Sequence, residues 1–79
     1  MQVAELVREI ACLLVDQPEA VEINEKVDNE NHTIELRVAK TDLGKIIGKN
    51  GSHAQALRTL LMAASGKFKK RILLVMADQ

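Results

Sequence analysis

The chain has 79 residues, enough for one domain near the lower size limit of unaided folding, and we predict a single domain over residues 1–79. Apolar residues make up 47% of the chain but only one residue is aromatic, so any core must be aliphatic. A single cysteine excludes an intrachain disulfide, and charges interrupt every apolar run well short of a membrane span. We therefore expect a cytoplasmic protein without a membrane segment.

Charge is unevenly distributed along the chain, although the net charge is zero. Residues 1–30 carry eight acidic and two basic side chains, a net charge of −6. Residues 31–79 carry nine basic and three acidic side chains, a net charge of +6. Such polarity is compatible with two ordinary solvated surfaces, but concentrated positive charge also favours an anionic partner.

The first half of the chain predicts a helix followed by a β-hairpin. Apolar residues recur at helical spacing over residues 2–15, and Pro18 prevents that helix from continuing. Apolar and polar residues then alternate over residues 21–27 and again over 33–38, as in half-buried strands. The polar segment 28–31 between them predicts the turn of an antiparallel hairpin.

The second half begins with two predicted helices separated by a glycine-rich turn. Thr41 or Asp42 is a suitable N-cap for a short helix that ends at Gly48. A longer helix starts just after the turn and extends to about Ser65, where Gly66 is suitable as its C-terminal stop.

Residues 69–76, apolar from Ile72 onward, predict the last strand. The predicted fold class is therefore α+β. Its element order is helix–strand–strand–helix–turn–helix–strand, with a three-stranded sheet and helices packed on one face.

The turn between the two helices, Gly48-Lys49-Asn50-Gly51, is the segment best suited to a phosphate-bearing ligand. Glycine lets the backbone turn tightly and lets a ligand approach closely. Amides at the start of the next helix, and the charge of Lys49, favour an anion. A helical corner that merely needs flexible glycines is the alternative, and the context of the turn favours the functional interpretation.

In that context the chain resembles the KH domain of type II topology. The resemblance depends on the segment Gly44-Lys45-Ile46-Ile47-Gly48-Lys49-Asn50-Gly51, close to G-[RK]-[IV]-I-G-[RK]-x-G, and on its position between two helices after a hairpin. It continues through residues 56–60 and the basic start of the last strand, 69–72. Over its whole length the chain is similar to the small bacterial single-KH proteins of the KhpA type.

The resemblance implies a protein that binds single-stranded RNA, the loop clamping the RNA backbone beside an apolar groove. It further implies self-association as a homodimer, or pairing with a second KH-domain protein. A post-transcriptional or RNA-chaperone-like role follows. The predicted RNA-binding residues are Gly48, Lys49, Asn50, Gly51, Lys45, Ile46, Ile47, Leu43 and Arg37.

Some of these assignments have alternatives. For each apolar residue of the predicted groove, plain core packing is the other interpretation, and Val38 is an alternative to Arg37 on the adjacent strand. The basic cluster formed by Lys67, Lys69, Lys70 and Arg71 is equally suited to extending phosphate contact and to a solvated strand end.

The longer predicted helix carries two apolar stripes. The first, sufficient for a core contact, consists of Ala54, Leu57, Leu61 and Ala64. The second consists of Ala56, Leu60 and Ala63. The second stripe predicts a contact with a partner helix, the alternative being one wide buried face.

We predict no enzymatic activity, no metal and no cofactor. His32 and His53 have no cysteine or carboxylate at ligand spacing, and Cys12 has no evident base beside it. Two alternatives to RNA binding stay open. One is single-stranded DNA binding, since the groove does not require a 2′-hydroxyl, and the other is a protein-interaction scaffold for which RNA is incidental.

Overall fold

A computed structural model describes residues 3–78, and it confirms the predicted element order and the α+β class. The helices and strands are α1 (Val3–Leu14), β1 (Glu22–Val27), β2 (Asn31–Val38), α2 (Leu43–Ile47), α3 (Ser52–Phe68) and β3 (Arg71–Asp78). Short 3₁₀ turns occupy residues 18–20, 40–42 and 49–51. The predicted helix start at Gln2 and the predicted domain ends at Met1 and Gln79 lie outside the described residues.

The sheet has the strand order β1-β2-β3. β1 pairs antiparallel with β2, Glu22 standing opposite Arg37, so the predicted hairpin is confirmed. β3 pairs parallel with β2, Ile34 standing opposite Leu74. Because β3 has a neighbouring strand on one side only, the backbone groups along its other edge are not used by the sheet.

The helices cover one face of the sheet, and the core between them is aliphatic, as predicted. Alternation along β2 directs Ile34, Leu36 and Val38 to this face, where each is at most 1% exposed. The buried cluster comprises Val7, Ala11, Val15, Val21, Ile34, Leu36, Val38, Ile46, Leu57, Leu61, Ile72 and Leu74. The single aromatic residue, Phe68, is half-exposed at the end of α3.

The prediction that Gly66 stops the long helix is wrong. α3 continues to Phe68, and Lys69 ends it in a left-handed conformation (φ 57°) with its N–H donating to the Ser65 carbonyl. The Ser65 hydroxyl also accepts the Ile72 N–H at 3.0 Å, which ties the helix end to β3. The last strand consequently runs from Arg71 to Asp78, two residues later than predicted at both ends.

The predicted capping of α2 is also wrong, because neither predicted side chain caps the helix. The Asp42 carboxylate instead accepts the backbone N–H groups of Asp16 and Gln17, at 3.2 and 3.0 Å. The hydroxyl of Thr41 accepts the side-chain amide of Gln17 at 3.2 Å. These tertiary bonds anchor the start of α2 to the segment after α1, and Asp42 is fully buried as a result.

Candidate nucleic-acid interface

The turn Gly48–Gly51, hereafter the GKNG loop, has a backbone conformation that explains its two glycines. Gly48 has φ 80° and ψ 167°, a region that is essentially restricted to glycine. Asn50 (φ 57°) and Gly51 (φ 76°) are left-handed, a conformation in which glycine is unstrained and asparagine is tolerated. The Gly51 N–H donates to the Gly48 carbonyl at 3.0 Å, which closes the loop.

Gly48 is also sterically confined. A Cβ at this position would lie 2.6 Å from Cγ of His53 and 2.8 Å from the His53 backbone nitrogen. A Cβ at Gly51 would meet no atom within 4 Å. Glycine is therefore required at position 48 by both conformation and space, whereas conformation alone favours it at position 51.

The two middle residues of the loop present their side chains to solvent. Lys49 and Asn50 are both exposed. Neither side chain makes a hydrogen bond or an ion pair with any other residue in the described range 3–78. A cationic group and an amide are thus displayed on a backbone that other residues hold in place.

A groove begins at the loop and runs between α3 and the open edge of β3. Its first part, about 520 Å³, is lined by Ile47, Asn50, Gly51, Ser52, Ala54, Gln55, Arg58 and Met76. Its second part, about 970 Å³, shares Arg58 and continues along residues 61–66 of α3 and 71–75 of β3. The far end carries the basic residues Lys69, Lys70 and Arg71. Apolar side chains dominate the lining of the second part, whereas the first part mixes apolar and polar side chains. Positive charge lines the groove at Arg58 and at its far end, and Lys49 is next in the chain to the lining residue Asn50.

Of the predicted apolar groove residues, Ile47 lines the groove. Ile46 is fully buried (0% exposed) in the core, so a ligand cannot reach it without disrupting the core. Leu43 is half-buried and packs against the same core. The alternative interpretation of core packing therefore describes Ile46 and Leu43, and their contact with RNA is not supported by their placement.

Lys45 is engaged within the protein. Its ammonium lies 2.6 Å from Oδ2 of Asp16 and 3.3 Å from Oδ1 of Asp42. The hydrogen bond to Asp16, followed by that to Asp42, raises the pKa of Lys45 above its ordinary value. Its charge is therefore directed at the segment after α1, and Lys45 does not line the groove.

Arg37 does not face the loop. It alternates with Leu36 and Val38 and so lies on the sheet face opposite the helices. Its Nε lies 3.2 Å from Glu35 and its NH1 donates to the Asp78 carbonyl at 3.4 Å. The alternative, Val38, is buried (1% exposed). β3, not β2, borders the groove, and its Met76 takes the place that we predicted for a β2 residue.

The sequence reasoning missed Gln55, Arg58 and Met76. Helical spacing could have predicted the first two. Residues three, four and seven positions after Gly51 lie on the same face of α3 as the loop, and these are Ala54, Gln55 and Arg58. No sequence pattern could have predicted Met76, because its place in the groove depends on the pairing of β3 with β2.

The two predicted stripes of α3 have different environments. The first is in the core: Ala54, Leu57 and Leu61 are buried and Ala64 packs against them. The second stripe is exposed, with Leu60 61% accessible. The alternative of a single wide buried face is therefore wrong for the domain by itself.

Within residues 3–78, no group of three or more His, Cys, Asp and Glu residues is arranged to hold a metal ion. None of the helices in this range is long and apolar enough to cross a membrane.

A three-stranded sheet with helices on one face, and a GxxG loop joining two of those helices after a β-hairpin, define a KH domain of type II topology. Within that class, the chain belongs to the KhpA/KhpB KH-domain family, whose model matches residues 4–76.

Similar proteins support this assignment. The chain is 55% identical to RNA-binding protein KhpA of Caldanaerobacter subterraneus, over 87% of this chain and 92% of that protein. It is 47% identical to RNA-binding protein KhpA of Clostridium perfringens, over 86% and 91% respectively. For RNA-binding protein KhpA of Halalkalibacterium halodurans the identity is 45%, over 92% and 96%.

Two solved structures resemble the fold. A crystal structure of Era from Aquifex aeolicus bound to GDP·AlF4⁻ matches with a TM-score of 0.67 at 19% identity, over 98% of this chain and 30% of that one. Era in complex with MgGDPNP and nucleotides 1506–1542 of 16S ribosomal RNA matches with a TM-score of 0.56 at 25% identity, over 96% and 29%. This chain thus spans less than a third of either Era chain.

Proposed function

We propose that this protein binds single-stranded RNA, with the GKNG loop on the sugar–phosphate backbone and the bases in the adjoining groove. The observation that carries the proposal is the exposure of Lys49 and Asn50, whose side chains have no partner within residues 3–78, on a loop whose Asn50 and Gly51 line the groove. Membership of a family whose similar members are named RNA-binding proteins supports it.

The groove offers chemistry suited to each part of a nucleotide. Lys49 supplies charge for phosphate, and the glycines leave room for the backbone to approach, as in the KH clamp on about four nucleotides. Ile47 and Met76 provide aliphatic surface for bases, and Arg58 adds a cation along the path. The open edge of β3 adds backbone donors and acceptors for base edges.

The test is a charge reversal at the loop with a matched reversal elsewhere. Lys49→Asp with Asn50→Asp should abolish crosslinking to single-stranded RNA while thermal unfolding is unchanged. Lys26→Asp with Asn29→Asp makes the same change in net charge on β1 and the hairpin turn, and should retain binding. Equal losses in the two double variants, or binding by wild type that does not weaken with salt, would contradict the proposal.

We further propose that the exposed stripe of α3 (Ala56, Leu60 and Ala63) contacts a second copy or another KH-domain protein. One module that grips about four nucleotides binds weakly, whereas two linked modules gain affinity through effective concentration. Small residues on either side of Leu60 let a second helix approach closely, and Leu60 is 61% exposed without such a contact.

The association is tested by Leu60→Asp, which should lower the mass measured by sedimentation without unfolding the chain. Leu13→Asp is the matched control, since Leu13 is 86% exposed on α1, outside the stripe. It should leave the mass unchanged. An unchanged mass for Leu60→Asp, or an equal decrease for both variants, would refute the contact.

The cellular role that fits these properties is that of a cytoplasmic post-transcriptional or RNA-chaperone-like factor without enzymatic activity. The relatives are named for RNA binding and not for catalysis. The competing role is a protein scaffold with incidental binding of RNA or single-stranded DNA, favoured by the exposed stripe. A pull-down before and after nuclease treatment separates the two, because partners of a scaffold survive digestion.

A further inference from the structure

We propose that His53 is a positioning residue of the GKNG loop, acting through the carbonyl group of Lys45. The inference depends on the proposed RNA-binding function and adds a residue that would act on the loop and not on RNA. His53 is the second residue of α3 and is exposed, and no sequence pattern assigned it a role.

The first observation is a hydrogen bond that spans the loop. Nδ1 of His53 lies 2.7 Å from the backbone oxygen of Lys45. A carbonyl oxygen only accepts, so Nδ1 carries the hydrogen and donates it. Lys45 belongs to α2 and His53 to the first turn of α3, so this bond fastens together the two helices that the loop connects.

The second observation is that the imidazole ring packs directly on Gly48. A Cβ at Gly48 would lie 2.6 Å from Cγ and 2.8 Å from Nδ1 of His53. Gly48 adopts its glycine-only conformation against this ring, which therefore limits how far the first loop residue can move. A side chain added at position 48 would therefore require the ring to shift.

The third observation is that Lys45 is itself anchored. Its ammonium binds Asp16 and Asp42, and the fully buried Asp42 carboxylate also holds the backbone of residues 16 and 17. The carbonyl that receives His53 therefore belongs to a residue fixed from the other side of α2. Contacts run without interruption from the segment after α1, through Lys45 and His53, to Gly48.

These contacts give His53 a physical task. A loop with three residues at positive φ loses affinity if it must be ordered at each binding event, and pre-ordering removes that cost. A direct contact between the outer nitrogen, Nε2, and a phosphate is the competing explanation. The positioning role requires the hydrogen bond of Nδ1, whereas a phosphate contact would require Nε2.

Two amide substitutions separate these explanations. The Asn side-chain nitrogen takes the place of Nδ1, and the Gln side-chain nitrogen takes the place of Nε2. We therefore expect His53→Asn to keep the affinity for a fluorescein-labelled single-stranded RNA of mixed sequence. We expect His53→Gln and His53→Ala to lose about tenfold, the effect of one ordinary hydrogen bond. The slope of log affinity against log salt should be the same in all four proteins, because no phosphate contact is lost.

Amide hydrogen exchange of residues 48–51 gives a second readout that needs no RNA. Exchange should be faster in His53→Gln and His53→Ala than in wild type and His53→Asn. If His53→Ala does not fold, the Asn and Gln variants carry the comparison. If wild type fails to bind RNA, the proposed function is overturned while the exchange rates still decide the role of His53.

Two results would overturn the positioning role. The first is retention of affinity by His53→Gln with loss in His53→Asn and a slope smaller by about 0.7, which would indicate a phosphate contact through Nε2. The second is equal affinity and equal loop exchange in all four proteins.

Discussion

The GKNG loop and the hairpin turn (residues 28–31) are both four-residue polar turns, yet they are stabilised in different ways. In the hairpin turn, Oδ1 of Asp28 accepts the N–H groups of Glu30 and Asn31 at 2.8 and 2.6 Å. The Asp28 N–H donates to the Asn31 carbonyl at 2.9 Å. These three bonds lie within the turn, and Oδ1 of its carboxylate is already occupied by two of them. From outside the turn, the Arg71 N–H donates to the Glu30 carbonyl at 2.9 Å.

The GKNG loop has one closing bond of its own, from the Gly51 N–H to the Gly48 carbonyl, and depends further on side chains outside it. Its shape is maintained by the His53 ring on Gly48 and by the anchoring of α2 through Asp42. Lys49 and Asn50 contribute no side-chain bond to that shape. A turn supported from outside thus keeps its own side chains available for a ligand, while its backbone holds three residues at positive φ.

Replacing Gly48 should have the largest effect, because it attacks the shape of the loop directly. We expect Gly48→Ala to lower the free energy of unfolding by about 2–3 kcal/mol, since it forces alanine into a glycine-only region and into contact with His53. Urea denaturation measures the loss. The control Gly51→Ala meets no atom within 4 Å and should cost only about 1 kcal/mol for its left-handed backbone. Equal losses would show that the ring on Gly48 is unimportant.

Replacing Asp42 tests the outside support of the loop. Asn replaces one of the two carboxylate oxygens by an NH₂ group and removes the negative charge, while the other oxygen still accepts. In one orientation the NH₂ faces the Gln17 N–H, and in the other it faces the Asp16 N–H and the Lys45 ammonium. A donor would face a donor in either case, so Asp42→Asn should destabilise the protein more than Gly51→Ala does. A denaturation midpoint unchanged by Asp42→Asn would mean that the loop is not supported through this carboxylate.

The same variant has a pH signature. Burial raises the pKa of Asp42. Hydrogen bonds from the Asp16 and Gln17 N–H groups and from the Lys45 ammonium lower this pKa by a larger amount, so it lies below the ordinary value of 3.8. A carboxylate with a lowered folded-state pKa stabilises the fold above the unfolded value, and this contribution is lost as pH falls through the folded value. Wild type should lose this stabilisation below about pH 4, and Asp42→Asn should lack that part of the loss.

Replacing Asp28 tests the hydrogen bonds that its side chain makes within the hairpin turn. Hydrogen bonds from Asn31 and then Glu30 lower the pKa of Asp28, so its stabilisation too is present above pH 3.8 and lost as pH falls further. Asp28→Asn should lower the denaturation midpoint less than Gly51→Ala does, because Asp28 is exposed. Fluorescence anisotropy should give the same RNA affinity as wild type. Weaker RNA binding would indicate that the hairpin turn also contacts the ligand.

Replacing Lys49 should have the smallest effect on folding. Lys49→Gln removes an exposed charge without an intramolecular partner, so the free energy of unfolding should stay within about 0.5 kcal/mol of wild type. RNA affinity should nevertheless fall, and the slope of log affinity against log salt should decrease by about 0.7, the value for one phosphate on a single strand. A salt titration by anisotropy checks both. An unchanged slope would remove Lys49 from the list of phosphate contacts.

Much of the fold was predictable because it depends on local patterns. Alternation over residues 33–38 identified the buried face of β2, and helical spacing separated the buried stripe of α3 from the exposed one. The GKNG segment was recognisable because its glycines are needed for the backbone conformation itself. Such features are encoded in neighbouring residues and are independent of what packs against them.

The site was predictable only in part, because distance along the chain does not say which surfaces meet. Arg37 was misplaced since the strand beside the loop is β3, a choice made by the parallel pairing of β2 and β3. Ile46 was placed in the groove although it is buried in the core. Asp42 looked like a helix cap but bonds to residues 16 and 17.

Periodicity and glycine conformation act over a few residues, so the class of fold, the aliphatic core and the position of the glycine loop could be predicted before any packing was known. Only the packed domain brings β3 to the groove, Lys45 to Asp16 and the His53 ring onto Gly48. The first two depend on contacts between segments far apart in the chain, and the third depends on how α3 packs against α2. Their geometry is set only when the whole domain is packed.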